Sequence, residues 1–278
     1  MLGQDVVDAA RRAGHAVTVS DRAEVDITDM TACREAVAGF DVVVNCAAWT
    51  AVDDAESHEG KAFDVNAVGP ANLARAATEH GARLVHVSTD YVFAGDATSP
   101  YGEDDPVRPA SAYGRTKAAG EWGVLAAGSD HVVVRTAWLY GAGGPSFPRT
   151  IVAAGRTRGA LSVVTDQVGQ PTWTGDLADL VVRLLAAGVP GGIYHGTSQG
   201  VASWFDFARA AVASAGMDPA IVAETTSAEF TRPAPRPAYS VLGHDRLRAA
   251  GVEPIGRWSD RWAAAAADPR FRTEVLEP

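Results

Sequence analysis

The sequence predicts an α/β fold, a doubly wound parallel sheet with a smaller C-terminal lobe, and three observations carry that expectation. Short valine-rich runs at Val42-Val43-Val44-Asn45, Leu84-Val85-His86-Val87 and His131-Val132-Val133-Val134-Arg135 have the length of strands buried on both faces. Helical patterns separate these runs, which is the alternation of βα units. Beyond Trp138 the alternation weakens into a glycine-rich loop, Gly141 to Pro145, and shorter elements.

The elements follow in order. An amphipathic helix begins directly after Met1, with Val6, Val7, Ala10 and Ala13 facing inward and Gly14 ending it. A strand is expected at Ala16-Val17-Thr18-Val19, and Asp26 and Asp29 are placed to cap the turn before Met30. A long helical pattern runs from Glu56 to His80 and contains Asn66, whose side chain is suited to bonding nearby backbone. After the run at Leu84 comes a helix from Tyr113 to Ala127. Further helices are expected at Phe147 to Arg158 and Asp176 to Ala187, with short strands at Leu161 to Val164 and Gly192 to His195. Ser203 caps a helix reaching about Ala215, and a final helix covers Trp258 and the alanines after Trp262. Arg232-Pro233-Ala234-Pro235-Arg236-Pro237 can be neither helix nor central strand, so it should be a loop.

Composition narrows the class. The formal charge is −10, which argues against a surface that neutralises nucleic-acid phosphates. The two cysteines, Cys33 and Cys46, are too few for a disulfide framework and are not spaced as metal ligands, so no metal site is expected. No apolar stretch is long enough to span a membrane, and no leader pattern precedes the first helix, so a cytoplasmic protein is expected.

The chemistry concentrates between Leu84 and Lys117. The apolar run ends in Ser88-Thr89-Asp90, as a buried strand does where it opens on a crevice, and Tyr113 and Lys117 stand four residues apart on one helix face. With only six tyrosines and two lysines in the chain, this spacing is an unusual coincidence. An ammonium beside a phenol favours the phenolate, which would bring Tyr113 toward the range of a working acid.

These residues carry a resemblance. Ser88-Thr89-Asp90-Tyr91-Val92-Phe93, Pro100-Tyr101-Gly102-Glu103 and Tyr113-Gly114-Arg115-Thr116-Lys117 resemble the extended short-chain dehydrogenase/reductases, specifically the dTDP-4-dehydrorhamnose reductases. Asn45 to Asp53, Arg135 to Tyr140, Asp166 to Thr172 and Ser203-Trp204 extend the likeness over nearly the whole chain.

The resemblance implies a Rossmann-like fold and reduction of the C4 ketone of a dTDP-4-keto-6-deoxyhexose by NADPH or NADH. Thr89, Tyr113 and Lys117 are implied to be catalytic. Thr89, Asp90 and Trp138 are implied to meet the sugar. Leu2, Gly3, Asp26, Ile27, Ala48, Trp49 and Thr50 are implied, with Tyr113 and Lys117, to hold the cofactor. Plainer readings stand beside these: Gly3 as a helix-start glycine, Asp26 and Asp29 as caps, Trp49 and Trp138 as packing. Asp21 and Arg22 together leave the choice of nicotinamide cofactor open, since an acid suits a ribose hydroxyl and an arginine a 2′-phosphate. Gly3 looks like the last glycine of a dinucleotide fingerprint whose strand and turn are otherwise missing. The expectation is that the natural protein starts upstream of Met1, the missing strand lying between those beginning near Ala16 and Leu84.

Residues 1–140 are assigned to the dinucleotide-binding core, with 173–196 returning to it, and 141–172 and 197–278 to a substrate-binding lobe. A homodimer is compatible with this reading. Dehydration is disfavoured, because Tyr91 stands where a dehydratase would place a glutamate after the aspartate. An epimerase of the same superfamily remains an alternative, as does a non-catalytic chain resembling the regulatory subunit of methionine adenosyltransferase.

Overall fold

The computed structural model describes residues 1–277. Four parallel strands form the central sheet in the order β1 (Val42–Asn45), β2 (Arg83–Thr89), β3 (Val132–Thr136) and β4 (Gly192–His195). Val85 pairs with Val44 on one side and Val132 on the other, so the valine runs meet in register and leave little room for polar side chains. Helices α1 (Leu2–Arg12) and α8 (Thr174–Ala186) cover one face, burying Leu2, Val6 and Ala9 with Leu177, Leu180, Val181 and Leu184 against Val85 and Val134. The opposite face packs Leu84 and Val133 against α2 (Met30–Val37), α5 (Gly69–His80) and α6 (Ala112–Ala127), using Cys33, Val37, Leu73, Ala77 and Val124. A second cluster lies C-terminal to the sheet, where Tyr140, Phe207, Trp262 and Phe271 pack in tilted and edge-to-face pairs among α7 (Phe147–Arg158), α9 (Trp204–Ser214) and α11 (Trp258–Ala267).

The structure departs from the sequence expectations in four places. Residues 16–19 form no strand, since a strand needs a hydrogen-bonding neighbour and none stands beside them; Val19 is 56% exposed. The free edge of the sheet belongs to β1, whose Val42 is 36% exposed. It does not lie beside Leu84, because β2 already has β1 and β3 on its two sides. The first helix turns Leu2, Val6 and Ala9 inward, leaving Val7 and Ala10 half-buried and Ala13 exposed, because α8 defines its buried stripe. Finally, the pattern from Glu56 to His80 is interrupted: α4 (Glu59–Phe63) passes through a π-helical turn, Asp64–Val68, into α5. The bulge presses on α6 at Gly120, where a Cβ would stand 2.1 Å from the Asn66 carbonyl oxygen.

Asp29 and Ser203 act as the caps the sequence announces. Asp29 accepts from the Thr31 amide at 2.7 Å, and Ser203 forms a reciprocal capping box with Asp206. Among the described residues no helix is long and apolar enough to cross a membrane.

The C-terminal lobe is tied to the sheet by a buried polar clamp. Gln170 accepts from the Leu242 amide and the Thr197 hydroxyl, and donates to the Leu242 carbonyl. The Thr197 hydroxyl thus accepts from His244 Nε2, while His195 donates from Nδ1 to the Gly243 carbonyl at 2.9 Å. Burial first, with neighbouring arginines next, pushes His195 down to about 3 and His244 to about 4. Both therefore sit neutral, against an unfolded value near ~6.5. The unfolded chain binds more protons below that value, so the clamp's contribution is complete above it and is lost as pH falls toward 4. The urea midpoint should drop steadily between pH 7 and pH 5 at unchanged m; a flat midpoint would show that the histidines accept protons without cost.

Candidate functional site

The site forms where β1, β2 and β3 end beside the N-terminal half of α6. Ser111 caps α6, accepting from the Gly114 amide at 3.1 Å, and Gly114 lets the helix lie against the strand-end loop, where a Cβ would meet the Tyr91 carbonyl oxygen at 2.2 Å. This close approach brings Tyr113 to Thr89. The Thr89 hydroxyl faces the Tyr113 phenol, and the Tyr91 and Tyr113 rings meet edge to face at 5.6 Å. Thr89 Oγ1 also donates to Asp90 at 2.9 Å and accepts from the Tyr91 amide at 3.2 Å. Burial pushes the Asp90 carboxyl up to about 6, with Ser240 and Thr89 pulling the other way.

Lys117 lies on the same helix face as Tyr113, yet its head group points inward. Nζ donates to the Val87 carbonyl at 2.6 Å and lies 3.1 Å from His86 Nε2. A four-carbon stem is long enough to reach the β2 backbone, so a shared face does not force the ammonium onto the phenol. Accordingly the Tyr113 phenol is not lowered. Burial pushes it up to about 12, with the Thr89 hydrogen bond opposing and the Asp90 charge assisting. It is thus held protonated near neutrality, a donor in place.

Behind these residues lies a network that the sequence reading missed. Glu121, one turn past Lys117, is bonded by Arg135 through Nε at 2.9 Å and Nη2 at 2.8 Å, and by Ser88 Oγ at 2.5 Å. Arg135 also donates to the Glu103 carbonyl and stands 4.8 Å from the centre of the Phe93 ring. Glu121, Arg135 and Ser88 are all buried. The available signal was the spacing Tyr113, Lys117, Glu121, a continuous polar stripe on a helix that faces the sheet.

The residues expected to hold a cofactor are distributed around the end of β1. Ala47 to Thr50 form a ribbon outside any helix or strand, fixed by Asn66, which accepts from the Trp49 amide at 2.8 Å, donates to the Trp49 carbonyl at 3.1 Å, and donates to Thr116 at 3.1 Å. Asn66 therefore bonds backbone 17 residues away, not its neighbours. Trp49 packs beside Tyr113, and its buried Nε1 has no partner. The N-terminus of α1 abuts the same strand end, Gly3 facing Cys46, while Leu2 is buried in the core. Asp26 bonds the Thr28 amide and hydroxyl at 2.9 and 2.7 Å, and Ile27 fills the notch at Gly69. A helix N-terminus, small residues at a strand end and an unpartnered indole N–H together fit a nicotinamide dinucleotide.

Residues 1–270 match the family model for the RmlD substrate binding domain. The chain belongs to the dTDP-4-dehydrorhamnose reductase family. It is 49% identical to a dTDP-4-dehydrorhamnose reductase of Streptomyces griseus, over 93% of this chain and 87% of that protein. It is also 49% identical to a probable dTDP-4,6-dihydroxy-2-methyloxan-3-one 4-ketoreductase of Streptomyces antibioticus, over 96% and 92% of the two chains. The crystal structure of a dTDP-4-dehydrorhamnose reductase of Bacillus anthracis in complex with NADP superposes with a TM-score of 0.91 at 34% identity, covering 95% of this chain and 94% of that one.

Within this reductase fold the remaining predicted residue, Trp138, adopts a left-handed backbone, φ 47°, and stacks on Trp204 at 3.6 Å between ring centres. Gly169 makes room for the ring, since a Cβ there would stand 2.5 Å from it. The packing alternative thus describes what its indole does here. The proline-rich loop is pinned by Asp53, which pairs with Arg236 at 2.9 Å and accepts from the Ala234 amide at 3.2 Å; Arg232 stands 3.9 Å away.

Breaking the buried pair should be costly. Arg135→Met strands the Glu121 carboxylate and should destabilise the fold by about 3–5 kcal/mol in urea titrations, whereas Arg135→Met combined with Glu121→Leu should recover much of the loss. Equal midpoints for the single and double variants would show that the pair is not energetically coupled.

Proposed function

We propose that the chain reduces the C4 ketone of a dTDP-4-keto-6-deoxyhexose with NADPH or NADH, in deoxysugar biosynthesis. The observation that carries this reading is the placement of the Thr89 hydroxyl at the end of a parallel strand facing the Tyr113 phenol, with Lys117 one turn along the same helix. The Streptomyces relatives are named for ketoreduction of dTDP-sugars, and the Bacillus anthracis structure contains NADP.

Bound NAD(P)H supplies the hydride. Tyr113, held protonated by burial, gives its proton to the oxygen of the former ketone, and Thr89 bonds that oxygen and fixes the phenol's direction. Lys117 bonds the nicotinamide ribose and stabilises the phenolate left behind. Asp90 meets a sugar hydroxyl, and Trp138, stacked on Trp204, offers an apolar wall to a deoxysugar. The ribbon Ala48, Trp49, Thr50, the α1 start at Leu2 and Gly3, and the edge at Asp26 and Ile27 hold the dinucleotide. Arg232 and Arg236 exchange Asp53 for the substrate diphosphate, a stronger anionic partner.

The test is a panel of nucleotide 4-keto sugars assayed for oxidation of NADPH and NADH. Net oxidation matched by a reduced sugar product is expected. Product without net oxidation would instead mean epimerisation, and failure with every sugar would mean that the chain is not a reductase. Tyr113→Phe should lower kcat by roughly 10²–10⁴ with little change in cofactor affinity; wild-type turnover in that variant would remove Tyr113 from the mechanism.

A further inference from the structure

His86 is fully buried on the central strand directly behind Lys117, and its hydrogen bonds determine more than its position. On the far side of the imidazole, Asn45 Oδ1 accepts from the Ala47 amide at 2.9 Å, which fixes the orientation of that amide side chain. Asn45 Nδ2 consequently faces His86 Nδ1 at 3.1 Å. An amide NH2 is only a donor, so Nδ1 must carry the lone pair and Nε2 the proton. That Nε2–H faces Lys117 Nζ at 3.1 Å. An ammonium offers no lone pair to receive it, whereas a neutral amine accepts it and still donates to the Val87 carbonyl.

We propose that His86 is a positioning residue that sets the charge of Lys117: its Nε2–H favours the amine, and proton uptake at Nζ requires the imidazole to turn over its tautomer and Asn45 to release the Ala47 amide. The inference rests on the role proposed for Lys117 above. It makes the charge of the lysine and the conformation of the Ala47 to Thr50 ribbon one linked equilibrium.

The other groups facing Nζ do not compete for this role. Glu121, on the same helix, has its carboxylate bonded by Arg135 and Ser88. Cys46, just past β1, is a thiol pushed up to about 11 by burial and so is uncharged near neutrality. Burial brings Lys117 down to about 8, with Glu121 and Cys46 opposing, and holds His86 well below its ordinary value. The imidazole therefore stays neutral while the lysine titrates within reach of neutrality.

The chain's two lysines make the test direct. The full chain labelled with carbon-13 at lysine Cε should give two resonances, one from exposed Lys61 and one from buried Lys117. Lys117 should titrate near pH 8, while nitrogen-15 shifts report His86 as the Nε2–H tautomer above that midpoint. His86→Gln offers Nζ an amide oxygen, so the Lys117 midpoint should rise by about one pH unit or more, a tenfold change in proton affinity. Asn45→Asp touches the imidazole only from the far side; it should convert His86 to the Nδ1–H tautomer and raise the Lys117 midpoint as well. Lys117 titrating at the ordinary lysine value of ~10.4, an Nδ1–H tautomer in the high-pH wild type, or an unmoved Lys117 midpoint in either folded variant would overturn the proposal. None of these readouts depends on turnover, so a failed sugar assay and a failed titration remain separate results.

Discussion

The site depends on how one helix, α6, is fastened to the sheet. Its apolar contacts alone would allow it to slide, because small residues dominate it: Gly114, Gly120 and Gly123 meet the Tyr91 carbonyl, the Asn66 carbonyl and Ala71 at distances no larger side chain permits. The buried bonds from Glu121 to Ser88 of β2 and to Arg135 of β3 remove that freedom. A buried ion pair contributes little net stability, because desolvation offsets most of its attraction. Its value here is directional, since only one placement of α6 satisfies two guanidinium bonds and a hydroxyl together. That placement sets Tyr113 against Thr89 and Lys117 against His86.

Much of this was legible in the sequence, for reasons that are local. The valine runs at β1, β2 and β3 are distinctive because both faces of each strand are apolar, and the caps at Asp29 and Ser203 announce themselves through residues three positions apart or fewer. The placement of Thr89 at a strand end and of Tyr113 and Lys117 on one helix face was legible from type and spacing. The structure adds the direction of the lysine head group, which spacing does not encode.

What the sequence did not reveal depends on partners far along the chain. Residues 16–19 have the composition of a strand, but a strand exists only with a neighbour to bond, and β1 keeps a free edge. The π turn at Asp64–Val68 is set by its fit against Gly120, more than fifty residues later. Asn45, His86 and Arg135 read as strand residues in apolar runs; only the crossing of α6 behind them makes them a polar cluster. Trp138 and Trp204 are likewise brought together by the lobe, not by any local pattern.

The segment from Ala234 to Leu242 shows why closure of the site and docking of the lobe cannot be separated. Its backbone bonds alternate between the two sides: the Tyr239 amide reaches the Gly95 carbonyl of the strand-end loop, and the Ser240 amide the Val168 carbonyl of the lobe. Pro237 lies in a gap at Gly95 that any side chain would fill, with 2.7 Å to its Cα. At one end Asp53 holds Ala234 and Arg236, and at the other Gln170 holds Leu242. Because Ser240 faces Asp90 in the middle of this span, a shift of the strap changes the polarity around the carboxylate beside Thr89. Between these ends the Tyr239–Gly95 and Tyr101–Val241 backbone bonds fasten the segment to the strand-end loop while the Ser240–Val168 bond fastens it to the lobe, so the segment cannot shift against one side without breaking bonds to the other.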